Sequence, residues 1–360
     1  MNNKELPNPF IFENGEEITS AASWQQRRQE IINSIVDIEY GGMPPTPPST
    51  RFECLYSSSM APGEKRRAQT IRITTNSEPQ FSFIMKLLIP PGEGPFPVVI
   101  NGDGCWEYAN DEVKKAVLER GYIMATFNRV EIVPDAIEAG RKIGLYTVYP
   151  EAEFGALAAW AWGYHRCVDI LCQLDFVDTE KIAISGHSRG GKTVLIAGAT
   201  DERIALTNPN DSGSGGAGCY RFQGNNSEKL VNTNEIFPYW FGPKIAEYVD
   251  KENELPFDQH YMKALVAPRA LLTTEALGDV WANPSGTWLT YEAAKEVYKF
   301  LGAEDKIGIW YREGLHKHSL PDWQTFLDFM AWQLEGKAPK AEFNACPFDD
   351  LPKAFSWKAP

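Results

Sequence analysis

A serine flanked by glycines, Gly186-His187-Ser188-Arg189-Gly190, follows the run Ile182-Ala183-Ile184-Ser185 and precedes the apolar stretch Val194–Ala199. Strand, sharp turn and helix, with G-x-S-x-G across the turn, is the context in which a serine becomes a nucleophile. The turn forces the serine into a strained backbone conformation, and bulky side chains at positions 186 and 190 would clash there. The helix that follows presents its N-terminus to developing negative charge. A serine hydroxyl needs a base, and the base needs an oriented acid. His316 sits just beyond the strand-like run Ile307–Tyr311 and fits the base. His318 is its rival two residues away, His187 should point elsewhere from the turn, and His260 reads as structural.

Two carboxylates compete for the acid. Asp279 follows the strand-like run Ala270–Thr274, one strand before the histidine. Asp211 lies in the glycine-rich turn Asn208–Gly216, after the strand that follows the serine's helix. Neighbouring strand ends lie ~5 Å apart, so either carboxylate can reach the same imidazole. The oxyanion would rest first on the backbone N–H of Arg189, whose side chain can add a charged donor. A second donor usually comes from the loop after an earlier strand. Asn101-Gly102-Asp103-Gly104 occupies that place, with an aspartate where a donor is wanted.

These groups need a scaffold that brings strand ends together. Strand-like runs are read at 69–74, 81–89, 97–100, 122–127, 181–185, 270–274 and 307–311. Helix-like runs lie at 23–32, 114–118, 155–174, 291–301 and 323–334. Such alternation predicts a three-layer α/β sandwich of the α/β-hydrolase type, a mostly parallel central sheet with helices on both faces. Residues 1–50 read as an N-terminal arm, 51–337 as the catalytic domain and 338–360 as a tail that wraps the surface. No internal repeat is evident.

The 360 residues are 43% hydrophobic, enough for a large core. The net charge of −13 argues against nucleic acid and against an anionic membrane surface. No apolar run approaches the ~20 residues of a membrane span. The opening residues, Met1–Pro7, have no signal-peptide character, so the expectation is a cytoplasmic protein, or a secreted one if a leader has been trimmed. The six cysteines are not needed as a disulfide framework in a chain this long, and Cys167 and Cys172 read as core residues. There is neither H-E-x-x-H nor C-x-x-C, and the expectation is no metal and no cofactor.

The motifs together resemble the glucuronoyl esterases, carbohydrate esterase family 15, in their bacterial form. The resemblance runs over roughly residues 20–335. It rests on Gly155–Gly163, Gly186–Lys192, Ser212–Gly216, Phe237–Phe241, Leu255–His260, Ala267–Arg269, Asp279–Pro284 and Gly314–His316. It implies Ser188 as nucleophile, His316 as base and Arg189 as oxyanion stabiliser. It further implies that Lys192 hydrogen-bonds sugar hydroxyls and that Trp281 contacts the sugar. Fungal members carry a glutamate 23 residues after the serine, where this chain has Asp211. The implied activity is hydrolysis of (4-O-methyl-)D-glucuronate esters, in lignin–carbohydrate material or in smaller glucuronoxylan-derived fragments. The expected partner is a small-molecule or oligosaccharide uronate ester. An esterase for acetylated sugars is the nearest alternative, and a non-catalytic carbohydrate-binding homologue is an alternative of another class.

Overall fold

The computed structural model describes residues 5–59 and 67–360; the expectation about the opening residues falls partly on Met1–Lys4, outside that range. Nine strands form one sheet: β1 (Thr50–Ser59), β2 (Arg67–Thr75), β3 (Phe81–Ile89), β4 (Phe96–Asn101), β5 (Ile123–Phe127), β6 (Val177–His187), β7 (Leu206–Asn210), β8 (Ala270–Ala276) and β9 (Ile307–Arg312). Their order is β1-β2-β3-β5-β4-β6-β7-β8-β9. The β1-β2-β3-β5 pairings are antiparallel, and every pairing from β5 through β4 to β9 is parallel. This is the α/β-hydrolase sheet, and the parallel part aligns the carboxyl ends of β6, β7, β8 and β9 along one edge.

The period of two along each strand feeds two helix layers. Val98 and Ile100 enter one core and Val99 the other; Ile182 and Ile184 divide from Ala183 in the same way. The larger core lies under α1 (Ala21–Tyr40), α3 (Ala156–Leu171), α4 (Arg189–Thr200), α6 (Gln259–Val266) and α7 (Pro284–Phe300). The smaller lies under α2 (Asp111–Glu119) and α8 (Leu320–Glu335). A short α5 (Leu230–Ile236) sits in the long connection from β7 to β8. Because α3 is covered nearly all round, its apolar residues are not confined to one stripe.

Several boundaries differ from the sequence expectation. The serine's helix begins at Arg189, not at the apolar run. The helix expected at 291 begins at Pro284, because Asn283 caps it and proline suits its first turn. Cys172 is exposed at the end of α3, while Cys167 is buried, and all six cysteines are free. The segments around Leu6 and around Trp357 pack against each other: Leu6 N–H donates to Ala354 O (2.8 Å), and Trp357 Nε1 donates to Leu6 O (2.8 Å). Ile309 N–H on β9 donates to Phe343 O (2.7 Å). Among the described residues no helix is long and apolar enough to cross a membrane.

Candidate active site

Ser188 stands between β6 and α4 at φ 57° and ψ −124°, a region that L-residues rarely occupy. Gly186 and Gly190 permit it. A Cβ on Gly186 would collide with the Gly190 carbonyl, and one on Gly190 with the Asp103 carboxylate. The turn is tied down on both sides. Ser188 N–H donates to Asn210 O on β7 (2.9 Å), and His187 N–H donates to Asp103 Oδ2 (2.9 Å). Asp103 is fully buried and paired with Arg129. Burial pushes its carboxyl pKa up, against the pull of the Arg129 guanidinium. Its position beneath the turn explains an aspartate in this loop: it braces the backbone that carries Ser188.

That loop's own N–H groups are engaged elsewhere. Gly102 donates to Tyr164 Oη (2.6 Å), Asp103 to Asn101 Oδ1 (3.1 Å) and Gly104 to Phe127 O (3.2 Å). Arg189 follows Ser188 directly. Its backbone N–H heads α4, where helix donors lack intrahelical acceptors. Its guanidinium lies 4.7 Å from the Trp240 ring and 4.9 Å from that of Phe237, held by Asp135 (3.0 Å). Asp135 is itself fixed by Tyr239 Oη (2.8 Å) and Trp240 Nε1 (3.2 Å).

His316 projects from the loop after β9, its side chain 41% exposed, with Nδ1 2.5 Å from Asp279 Oδ2. Asp279 itself is buried, in the loop after β8. His316 Nε2 is left as the nitrogen that can take a proton. His318 is buried, stacked on Trp323 at 4.5 Å, and its Nε2 meets Ser185 Oγ (3.5 Å) below the turn. His187 is also buried, with its ring 4.4 Å from that of His316. Burial and the adjacent His316 lower its pKa to about 3. Of the three imidazoles, His316 is the one that lines the cavity with Ser188.

That cavity holds about 300 Å³ and is walled by Ser188, Arg189, Lys192, Asp211, Glu228, Phe237, Trp240, Trp281 and His316, among others. A larger hollow of about 620 Å³ lies over β3 and β5, beside Lys86 and Glu107, and contains neither Ser188 nor His316.

Asp211 accepts from Ala276 N–H (2.6 Å) and from Arg312 (3.2 Å), with no hydrogen bond to His316. Burial, relieved by the Ala276 bond and worsened by Asp279 and Asp322, raises its pKa to about 7. Acceptor and donor atoms of Asp211, Asp279 and His316 lie within 4.8 Å of one another, a spacing that could hold a metal ion. The bonds just described already engage all three side chains.

Lys192 differs most from its expected surroundings. It is buried, and Nζ donates to Ser212 O (2.6 Å), Ser214 O (2.5 Å) and Glu228 Oε2 (2.7 Å). All three of its protons are engaged, so it pins the glycine-rich loop and reaches a ligand only by exchanging one of them. Glu228 is a cavity residue that sequence reasoning missed; an isolated glutamate in Asn226-Ser227-Glu228-Lys229 carries no motif. Trp281 presents its indole at the cavity mouth, 43% exposed.

A family model described as fungal glucuronyl esterase matches residues 71–302. The chain belongs to the glucuronoyl esterases. It is 32% identical over 329 residues to 4-O-methyl-glucuronoyl methylesterase 1 of Wolfiporia cocos, covering 88% of this chain and 77% of that one. Two further fungal methylesterases are longer, and the chain spans 62% and 66% of them. A family 15 glucuronoyl esterase from Caldicellulosiruptor kristjansonii superposes with a TM-score of 0.85 at 30% identity, covering 100% of this chain and 98% of that one. A Sporotrichum thermophile glucuronoyl esterase mutant, solved in complex with methyl 4-O-methyl-β-D-glucopyranuronate, superposes at 0.77 with 28% identity, covering 94% and 89%. Membership makes the chain a carboxylic ester hydrolase acting on uronate esters.

Proposed function

We propose that this glucuronoyl esterase cleaves esters of 4-O-methyl-D-glucuronic acid with Ser188 as nucleophile, His316 as base and Asp279 as the triad acid. The observation that carries the reading is the His316–Asp279 pair at 2.5 Å, facing the cavity that Ser188 also lines. Ser188 Oγ attacks the C6 carbonyl carbon while its proton passes to His316 Nε2. Asp279 holds the imidazole by Nδ1 and stabilises the imidazolium. The oxyanion rests on the Arg189 backbone N–H and guanidinium. Collapse breaks the bond from C6 to the alkoxy oxygen, and the leaving alcohol takes the proton from His316. Water, deprotonated by His316, then attacks the acyl-enzyme; the uronic acid leaves and Ser188 recovers its proton.

The sugar end is served by Trp281, which offers an apolar face, and by Glu228, which offers an acceptor for hydroxyls. Lys192 orients Glu228. An acetyl group has no hydroxyls for Glu228 to bond, which favours a uronate over acetate as the acyl part. The test is hydrolysis of benzyl D-glucuronate beside p-nitrophenyl acetate, with wild type and Ser188→Ala. Serine-dependent preference for the glucuronate is expected, with a loss of at least about 10⁴-fold in the folded variant. Turnover of the acetate alone would overturn the uronate reading, and an active Ser188→Ala protein would overturn the mechanism.

A further inference from the structure

The loop that carries His316 is exposed from Glu313 to Lys317, yet it must hold an imidazole to within a fraction of an ångström. Gly278 N–H holds it from the β8 side by donating to Gly314 O (3.0 Å), and one side chain holds it from below. Arg312, the last residue of β9, is 11% exposed and turns its guanidinium back under the loop. NH1 donates to Glu313 O (3.2 Å) and Leu315 O (3.2 Å). NH2 donates to Leu315 O (3.2 Å) and to Lys317 O. The carbonyls on both sides of His316 are therefore bound to the same nitrogen. Gly314 follows from this: at φ 114° it leaves room where a Cβ would press on Arg312 NH1.

The guanidinium is anchored from beneath. Nε donates to both oxygens of Asp322 (2.8 Å each), a fully buried carboxylate that also caps α8 through Ser319 N–H (2.7 Å). NH2 reaches Asp211 Oδ2 (3.2 Å), and the other Asp211 oxygen takes the N–H of Ala276 at the end of β8. The ends of β7, β8 and β9 thus meet at one planar fork. Lysine, a point charge on a flexible stem, could not span these acceptors.

We infer that Arg312 is the positioning residue for His316, and that Asp211 acts through Arg312 rather than as the acid of the triad. The inference rests on the Ser188–His316–Asp279 reading above. It explains how Asp211 stands beside the imidazole without bonding it. It also accounts for the shorter aspartate, which suffices to reach Arg312 and Ala276 together.

The test is a double-mutant cycle on the full chain, assayed with benzyl D-glucuronate and with melting temperature as the folding control. Arg312→Lys should lower kcat by about 10- to 100-fold, with KM held within about threefold, because Arg312 does not line the cavity. Asp211→Asn should lower kcat in wild type but cost less than about twofold more on the Arg312→Lys background. Should Arg312→Lys not fold, Asp322→Asn replaces it in the same cycle, with the same kcat-only loss expected. Unchanged kcat in the arginine variant would overturn the inference. So would an equal factor for Asp211→Asn in both backgrounds, which would make Asp211 an independent acid. Ser188→Ala in the same assay separates this from failure of the underlying reading: an active serine variant sinks both, whereas an inert one with an indifferent Arg312 series sinks only the inference.

Discussion

At the scale of single residues, the two aspartates have different surroundings and should have different mutational costs. Asp279 bonds the imidazole directly at 2.5 Å, so Asp279→Ala removes the group that fixes its tautomer. A loss on the order of 10⁴-fold in kcat is expected for it, and a clearly smaller one for Asp211→Asn. Steady-state kinetics of both variants check the ranking, and the reverse order would reinstate Asp211 as the triad acid. On the proposed reading, Trp281 serves the sugar side. Its replacement by alanine should raise KM by about tenfold or more while leaving kcat nearly intact, since the indole meets ground state and transition state alike. The serine and histidine were legible because their chemistry is bound to local signals, a turn motif and a strand end. Glu228 and Arg312 were not. Each acts through contacts with segments far along the chain, Glu228 with Lys192 and Arg312 with Asp211, and neither contact leaves a local pattern.

At the scale of elements, the strand-turn-helix unit from β6 to α4 depends on close approach. Gly190 lies against the Asp103 carboxylate, which holds His187 N–H and pairs with Arg129. Gly190→Ala should displace that carboxylate, costing about 1–3 kcal/mol and lowering kcat together with stability. Thermal denaturation and turnover of the variant test this; unchanged values for both would show that Asp103 does not brace the turn. The central strands could be read from sequence because, buried on both faces, they are near-continuous apolar runs. The edge strand β1 could not. Nearly all its residues are exposed, and a bulge between Cys54 and Tyr56 breaks its pairing with β2. The first turns of α7 were hidden for another reason. The segment Pro284-Ser285-Gly286-Thr287 has the composition of a loop, and its helical state depends on the Asn283 cap.

At the scale of the whole molecule, the segments around Pro7 and Trp357 close on one another and on α6, and His260 is the joint. Its Nε2 donates to Pro7 O (2.9 Å), and its ring stacks on Trp357 at 5.8 Å. With Nε2 donating to a carbonyl, Nδ1 is bare, and it is buried without a partner. The imidazole is therefore neutral in the folded chain. Burial lowers its pKa to about 4, only partly offset by the nearby Asp258 charge. The unfolded chain has a histidine near 6.5 and so binds the proton more readily below that pH. The stability held in the neutral His260 is complete above pH ~6.5 and is lost as pH falls towards 4. At pH 5.5 the loss from this residue should be on the order of 1 kcal/mol. His260→Gln keeps a donor for Pro7 O but has no proton to gain. Urea unfolding of both proteins at pH 7.5 and 5.5 isolates the effect, because the other buried titrating groups, His165 and Glu39 among them, are common to both. Wild type should lose on the order of 1 kcal/mol more than the variant between the two pH values. Equal losses would mean that His260 is already charged in the folded state and that the contact of Pro7 and Trp357 with α6 is not held by a neutral imidazole.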